Sequence, residues 1–328
     1  MSFNIKRLFS DTNIIETLPK KTVYIKSSSD YIANKFLNIL STQLYSKKTD
    51  TIFFYNTFKD NYLESIYMPN INLYISSLNN FNPQHTINLD SAFKYFDNFI
   101  NCNKYNIENI KYDFYLSKSK INSLFLKISK QLSLKLDYSY FNDFKNHFIE
   151  SIFKSCSTNS NNLKITKYFV SSVGINGFKT FSNYIPHNEN KIFIMNDEFN
   201  VFTSHLFQDI ISKADFLKIS YVIYKNTLNP NIIDHIKIPS LNLCLLSNNF
   251  LFKSNIPGIQ INAENLFKYI YEDILLTDKL NLNKELETLT FLCENLNSHY
   301  LKINSIYENN LLSSNFDILI NETLKIIN

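Results

Sequence analysis

The chain has 328 residues and a mass of 38.6 kDa, enough for two domains at roughly 100 to 200 residues each. Hydrophobic residues make up 45% and charged residues 19%, a balance that excludes a disordered chain and leaves ample apolar material for packed cores. The formal net charge of +4 is small for this length and no Lys/Arg run is dense, so neither nucleic acid nor an anionic membrane surface is expected as a partner.

The opening MSFNIKRLFSDTN has no apolar core beside a cleavage site, and no apolar run approaches the ~20 residues that span a bilayer. No membrane association and a cytoplasmic location are expected. Cys102, Cys156, Cys244 and Cys293 stand far apart with no CxxC or Cys/His cluster, which points to reduced thiols and away from a zinc site or disulfide framework. The histidines show no HExxH spacing, so no metal is expected. Abundant Lys and Asn, with only 3 Gly and no Trp, reads as the mark of a low-GC genome.

In chain order, TVYI (Thr22 to Ile25) is a strand signal that passes through polar KSSSD into the helical spacing of YIANKFLNIL. TIFFY and NLYI follow as strands, then come aromatic-rich helical tails, SAFKYFDNFINC, INSLFLKISKQLSLKL and YFNDFKNHFIESIF. Ser155 to Asn162, SCSTNSNN, has linker composition. The pattern then starts again. KIFIMNDEFNVFTSHLFQDII (Lys191 to Ile211) lies beside Thr22 to Leu40 with Ile194 facing Ile25, and Tyr221 to Leu246 lies beside Ile52 to Ile75 with Pro239 facing Pro69. In that alignment Asn226-Thr227 matches Asn56-Thr57, and Ile233-Asp234 matches Leu63-Glu64. ISYVIY and NLCLL are the further strands, with ENLFKYIYEDILL and LETLTFLCENLNSHYLKI as helical tails expected to pack on their own half.

Self-similarity at this span predicts a tandem duplication, with domains at 1–158 and 159–328. Apolar strand, crossover helix and apolar strand predict a three-layer α/β fold with mainly parallel sheets in each half. Gly174 and Gly177 in VGINGF read as loop flexibility.

The strand-loop-helix at Thr22 to Leu40 has the layout of a phosphate-binding loop, where backbone amides cradle phosphate, glycines allow close approach and a lysine neutralises charge. Both halves resemble the repeats of an uncharacterised, tandem-duplicated P-loop ATPase family of Firmicutes. The resemblance is carried by YIKSSSDYIANKFL and FIMNDEFNVFTSHL at the loops, by LESIYMP and IDHIKIP before the third strand, and by NPQHTINLD after it.

That resemblance implies P-loop NTPase-like domains. It places Asp197, Glu198, Asn200 and Phe202 on glycine positions of the second loop, Thr203 on the lysine and Ser204 on the hydroxyl, following Asn196 at the strand end. In the first loop, after Lys26 and Ser27, it puts Ser28, Ser29, Tyr31 and Ala33 on glycine positions, Asn34 on the lysine and Lys35 on the hydroxyl, to within one residue. With glycines and lysine gone from both, a degenerate pseudo-ATPase that binds or scaffolds a protein partner is expected, with no cofactor. The alternative is ATP with Mg2+ held by a non-standard contact set. An N-capping role for Ser29 or Asp30 competes with a residual anion site there. Asp60 and Glu64, and Asp234 in the second half, are candidate strand-end acids, although Pro230 stands opposite Asp60. No catalytic residue is assigned.

Overall fold

A computed structural model of the chain describes residues 5–9, 19–46, 50–79, 82–92, 97–154, 156, 163–181, 185, 190–253, 255–262, 266–267 and 272–327. The architecture is α/β, with two mixed, mainly parallel six-stranded sheets. The first contains β1 (Ile5–Phe9), β2 (Lys21–Lys26), β3 (Thr51–Tyr55), β4 (Leu63–Met68), β5 (Leu73–Ser76) and β6 (His85–Asn88) in the order β1-β3-β4-β5-β2-β6. Helix α1 (Asp30–Ser46) connects β2 to β3, and α2 (Asp97–Ser133) and α3 (Tyr138–Phe153) follow.

After β7 (Ile165–Tyr168) comes a separate hairpin, β8 (Ser171–Gly174) and β9 (Gly177–Thr180), then β10 (Lys191–Asn196), α4 (Val201–Phe216), β11 (Tyr221–Lys225), β12 (Ile233–Ile238), β13 (Leu243–Asn248) and β14 (Ile259–Asn262). Helices α5 (Glu272–Asn309) and α6 (Ser313–Ile327) close the described chain. The second sheet runs β7-β11-β12-β13-β10-β14 from one edge, the first sheet's order position by position.

The likeness extends to detail. The β3–β4 pair shifts register at Phe54/Tyr55 and the β11–β12 pair at Tyr224/Lys225. Pro69–Ile71 and Pro239–Leu241 form single 3-10 turns, closed by Asn72 and Asn242 at φ 50 and 54. Asparagine tolerates this left-handed conformation better than other residues with a Cβ, which accounts for its presence at both turns.

The segments LESIYM and IDHIKI are full strands, β4 and β12, antiparallel to both neighbours, where the alignment makes them only the approach to a third strand. A short turn can join only antiparallel neighbours, and the seven residues between Tyr55 and Leu63 are too few for a crossover helix.

Two compact units each gather one sheet. The first comprises Met1–Tyr115, Ser172–Lys179 and Thr290–Asn328, the second Leu116–Ser171 and Thr180–Leu289. The expectation that helical tails pack on their own half holds for Leu266 and Phe267 of ENLFKYIYEDILL, which pack in the second unit's core, and fails for α3; α6, which the sequence pattern did not single out, also packs on the other half. Helix α3 buries Phe141, Phe148 and Phe153 in the second unit's core with Phe202, Leu206 and Phe207, while α6 buries Phe316, Ile320 and Ile327 in the first unit's core with Phe36, Leu37 and Leu40. Fully burying each such side chain is worth about 1.5–3 kcal/mol, and an amphipathic stripe specifies that it must be covered without specifying by which sheet. Of the proposed linker, only Cys156 lies within the described residues, where it is half-buried.

Gly174 is also not a flexible loop residue. It is buried in β8, and a Cβ there would lie 2.1 Å from the Phe58 carbonyl oxygen, so a backbone approach requires the glycine. Ile175 N–H donates to the same oxygen at 2.8 Å. Gly177 is the one glycine at positive φ, 78°.

Candidate functional site

In the first unit, β2 ends at Lys26 and α1 begins at Asp30, leaving Ser27, Ser28 and Ser29 as the whole loop. The helix starts this early because Ser29, buried, stands at the N-cap: its Oγ accepts from Ile32 N–H at 3.4 Å and its carbonyl accepts from Ala33 N–H at 3.1 Å. Tyr31, Ala33, Asn34 and Lys35 are therefore already helical. The Ser28 N–H (2.8 Å) and Oγ–H (3.0 Å) both donate to the Asp90 carboxylate, which follows β6. Ser29 N–H donates to Ser27 Oγ at 3.1 Å.

The neighbouring charges are directed elsewhere. The Lys26 side chain is exposed, Lys35 pairs with Glu308, and Asp30 pairs with Lys59 at 2.8 Å. Asn34 Oδ1 accepts from Leu63 N–H at 2.8 Å, tying α1 to β4. The Glu308 carboxyl is held below the usual range by hydrogen bonds from Lys35 and Tyr31, and burial with the Glu308 contact pushes the Tyr31 hydroxyl up to about 12.

In the second unit the loop is Asp197 to Asn200. Asp197 is buried and its Oδ2 accepts from Thr203 N–H at 2.9 Å, inside the first turn of α4. Burial raises the Asp197 carboxyl above its usual range, opposed by the amides of Thr203, Val201 and Phe202. Those amides are the groups a helix N-terminus offers an anion, and Asp197 takes that place.

Asn200, which the resemblance places on a glycine position, adopts a left-handed φ of 54. It is fixed by its side chain: Nδ2 donates to Asp234 at 3.2 Å and Oδ1 accepts from Ser247 Oγ at 2.5 Å. Ser204 Oγ donates back to the Asn200 carbonyl, the Thr203 side chain is buried, and Glu198 pairs with Lys279 at 2.9 Å.

Asp234 on β12 is buried and receives the amides of Asn200, Asn226 (3.0 Å) and Asn249 (3.1 Å). Burial pushes it up to about 6 against those three amides. His235 points to the other face of the strand, accepts Ser247 N–H on Nδ1 at 3.1 Å, and is driven down to about 3 by burial, too weak a base for proton transfer at neutral pH. In the first unit, Glu64 on β4 is bonded by Asn56 Nδ2, as Asp234 is by Asn226, and each asparagine Oδ1 caps the turn that follows, at Phe58 N–H (2.8 Å) and Leu228 N–H (2.9 Å).

Asp60 belongs to the first unit. It is fully buried, bonded by Asn176 on the β8–β9 hairpin, and raised by burial against the pull of Asn176 and Lys179. Lys179 Nζ donates to the Asp60 carbonyl at 3.2 Å.

Each loop opens on a cleft. One of about 300 Å³ is lined by Ser28, Ser29, Asp30, Lys59, Lys111 and Tyr300. The other, of about 450 Å³, has the ends of three strands, Asn196, Asn248 and Asn262, on its wall.

The structure thus brings Ser28 to Asp90, and Asp197, Asn200, Thr203 and Ser204 to one turn joined to Asp234; Lys26 borders the first loop with its side chain exposed, Lys35 and Asp60 are bonded to Glu308 and Asn176, and Glu64 is bonded by Asn56. Asp90, Asn226, Asn249, Lys253 and Lys279 carry no role in the sequence reading. Asn226 with Asp234 was readable from the aligned pairs Asn56/Glu64 and Asn226/Asp234, and Asp90 ends the quoted segment NPQHTINLD; nothing local marks the others. Among the described residues no group of three or more His, Cys, Asp or Glu is placed to hold a metal, and no helix is long and apolar enough to cross a membrane. Compared with known protein families, curated proteins and solved structures, the chain matches none.

Proposed function

We propose that this chain is a pseudo-ATPase, a binding or scaffolding protein built from two duplicated, P-loop NTPase-like halves that do not hydrolyse nucleotide. Duplication is supported by the shared strand order, the matching register shifts and the twin proline turns. The observation that carries the functional reading is the bond from Thr203 N–H to Asp197 Oδ2: the amides that would receive a phosphate already hold a carboxylate of the same chain.

The first loop supports the same reading through Asp90 on Ser28. Like charges at about 4 Å repel by about 4 kcal/mol at an effective dielectric near 20, so a phosphate brought to the α4 amides meets the Asp197 carboxylate already bonded there, with no lysine on the loop to offset it. Protein partners are the remaining role, with the exchanged helices α3 and α6 locking each core to sequence from the other half. The test is phosphate release from ATP and GTP with magnesium: the reading expects no turnover above background, and turnover removed by a Thr203 substitution would refute it.

A further inference from the structure

We propose that the cleft of the second unit binds a small organic monocarboxylate with an apolar or aromatic body. The cleft lies beyond the carboxyl ends of β10, β13 and β14, whose last residues, Asn196, Asn248 and Asn262, line it. From β10 the chain passes through α4 towards β11, whereas from β13 it passes β10 to reach β14 on the other side. Adjacent strands whose connections run in opposite directions along the sheet mark a switch point, and open α/β sheets bind ligands in the crevice there. About 450 Å³ is ample for a ligand with one aromatic ring.

The head group follows from which hydrogen-bonding groups are left over. Asn248 Nδ2 donates to Asn196 Oδ1 at 2.7 Å, and Asn196 Nδ2 donates onward to Asn262 Oδ1 at 2.6 Å and Gln260 Oε1 at 3.0 Å. The row uses the oxygens of Asn196 and Asn262 and ends on the Asn262 amide nitrogen, which has no acceptor among the described residues.

The charges leave the same sign of remainder. Lys279 is paired with Glu198 at 2.9 Å, and Asp197 faces the α4 amides, but Lys253 has no carboxylate partner among the described residues. An ammonium and an amide N–H₂ are donors only, so the complement is an acceptor-only head, and a carboxylate offers two such oxygens on one planar group. Phe199, Phe267 and Leu275 on the walls favour an apolar body. This inference rests on the pseudo-ATPase reading only in that a triphosphate is not the occupant.

The test is calorimetric titration of the full chain with 3-phenylpropionate, its neutral amide and acetate. Binding of 3-phenylpropionate with Kd below about 1 mM is expected, with the amide and acetate each weaker by about ten-fold or more. Lys253→Gln should weaken 3-phenylpropionate by a similar factor at unchanged Tm, and Asn262→Asp should do so more strongly. No heat at about 10 mM, equal binding of the amide, or an unaffected Lys253→Gln variant would overturn the proposal. A tetrapeptide ending in phenylalanine distinguishes the sources: competition by its free-acid form alone assigns a chain end, no competition assigns a free metabolite, and equal competition by the amidated form counts against the proposal. Magnesium-ATP in a separate titration keeps the two readings apart: binding that does not compete with 3-phenylpropionate would refute the pseudo-ATPase reading alone, whereas binding that displaces it would refute both.

Discussion

Asp197 Oδ2 lies 2.9 Å from the Thr203 backbone nitrogen, so a carboxylate of this chain sits where the N-terminus of α4 would otherwise face solvent or a ligand. Removing it leaves buried donors unsatisfied, at about 1–3 kcal/mol. Asp197→Ala is therefore expected to lower the unfolding free energy by that amount in urea titrations. Added inorganic phosphate should then raise the variant's midpoint more than the wild type's at equal ionic strength. Equal shifts in the two proteins would show that the amides do not form an anion site.

The two asparagine-carboxylate pairs give a graded comparison. Asn226 bonds a buried Asp234, whereas Glu64, the partner of Asn56, is only half-buried. Water can replace a lost bond at Glu64 but not at Asp234. Asn226→Ala should cost about 2–3 kcal/mol and Asn56→Ala about 1 kcal/mol, read from urea midpoints. The reverse ranking would contradict the burial argument.

Adjacent residues on β12 give opposing pH dependences. Asp234 in the folded state stands near 6, above its unfolded value near 3.9, so it holds its proton to higher pH than the unfolded chain and its ionisation opposes folding. That penalty, about 3 kcal/mol above pH ~6, is relieved as pH falls towards ~4. His235 stands near 3, below its unfolded value near 6.5, so its contribution is present above pH ~6.5 and is lost as pH falls towards ~3. The two slopes oppose each other between about pH 4 and 6. Asp234→Asn removes one of them, and its stability should fall more steeply than the wild type's from pH ~6.5 to ~4 in urea titrations at each pH. Parallel curves would exclude the coupling.

Gly174 and Gly177 separate two kinds of glycine requirement. Gly174→Ala places a Cβ against the Phe58 carbonyl, where backbone must move, while Gly177 at φ 78 has open space around it. Gly177→Ala should cost about 1 kcal/mol through its dihedral alone. Gly174→Ala should cost more and expose amides near Phe58 and Ile175 to faster hydrogen exchange. An effect at Gly177 equal to or larger than that at Gly174 would contradict the close approach.

Much of the sheet pattern was legible, because TVYI, TIFFY, NLYI and their second-half counterparts are continuous apolar runs that only a two-sided buried strand explains. The edge strands β6 and β14, HTIN and IQIN, were not, since an exposed edge leaves a weak apolar signal. The helix exchange was illegible for a different reason: Phe141 and Phe316 announce buried faces, but the stripe that buries them fits either sheet. At the site, the missing glycines were readable, while the groups that fill the space were only partly so. Asp197 lies on the loop itself, but Asp90 reaches Ser28 from 62 residues away.

The most direct test of the central claim is calorimetric titration of the wild-type chain with magnesium-ATP. The pseudo-ATPase proposal, with Asp90 on Ser28 and Asp197 on the α4 amides, predicts no saturable heat at about 1 mM nucleotide. A micromolar Kd, abolished by a substitution within Ser27 to Ser29 or Asp197 to Asn200, would contradict it.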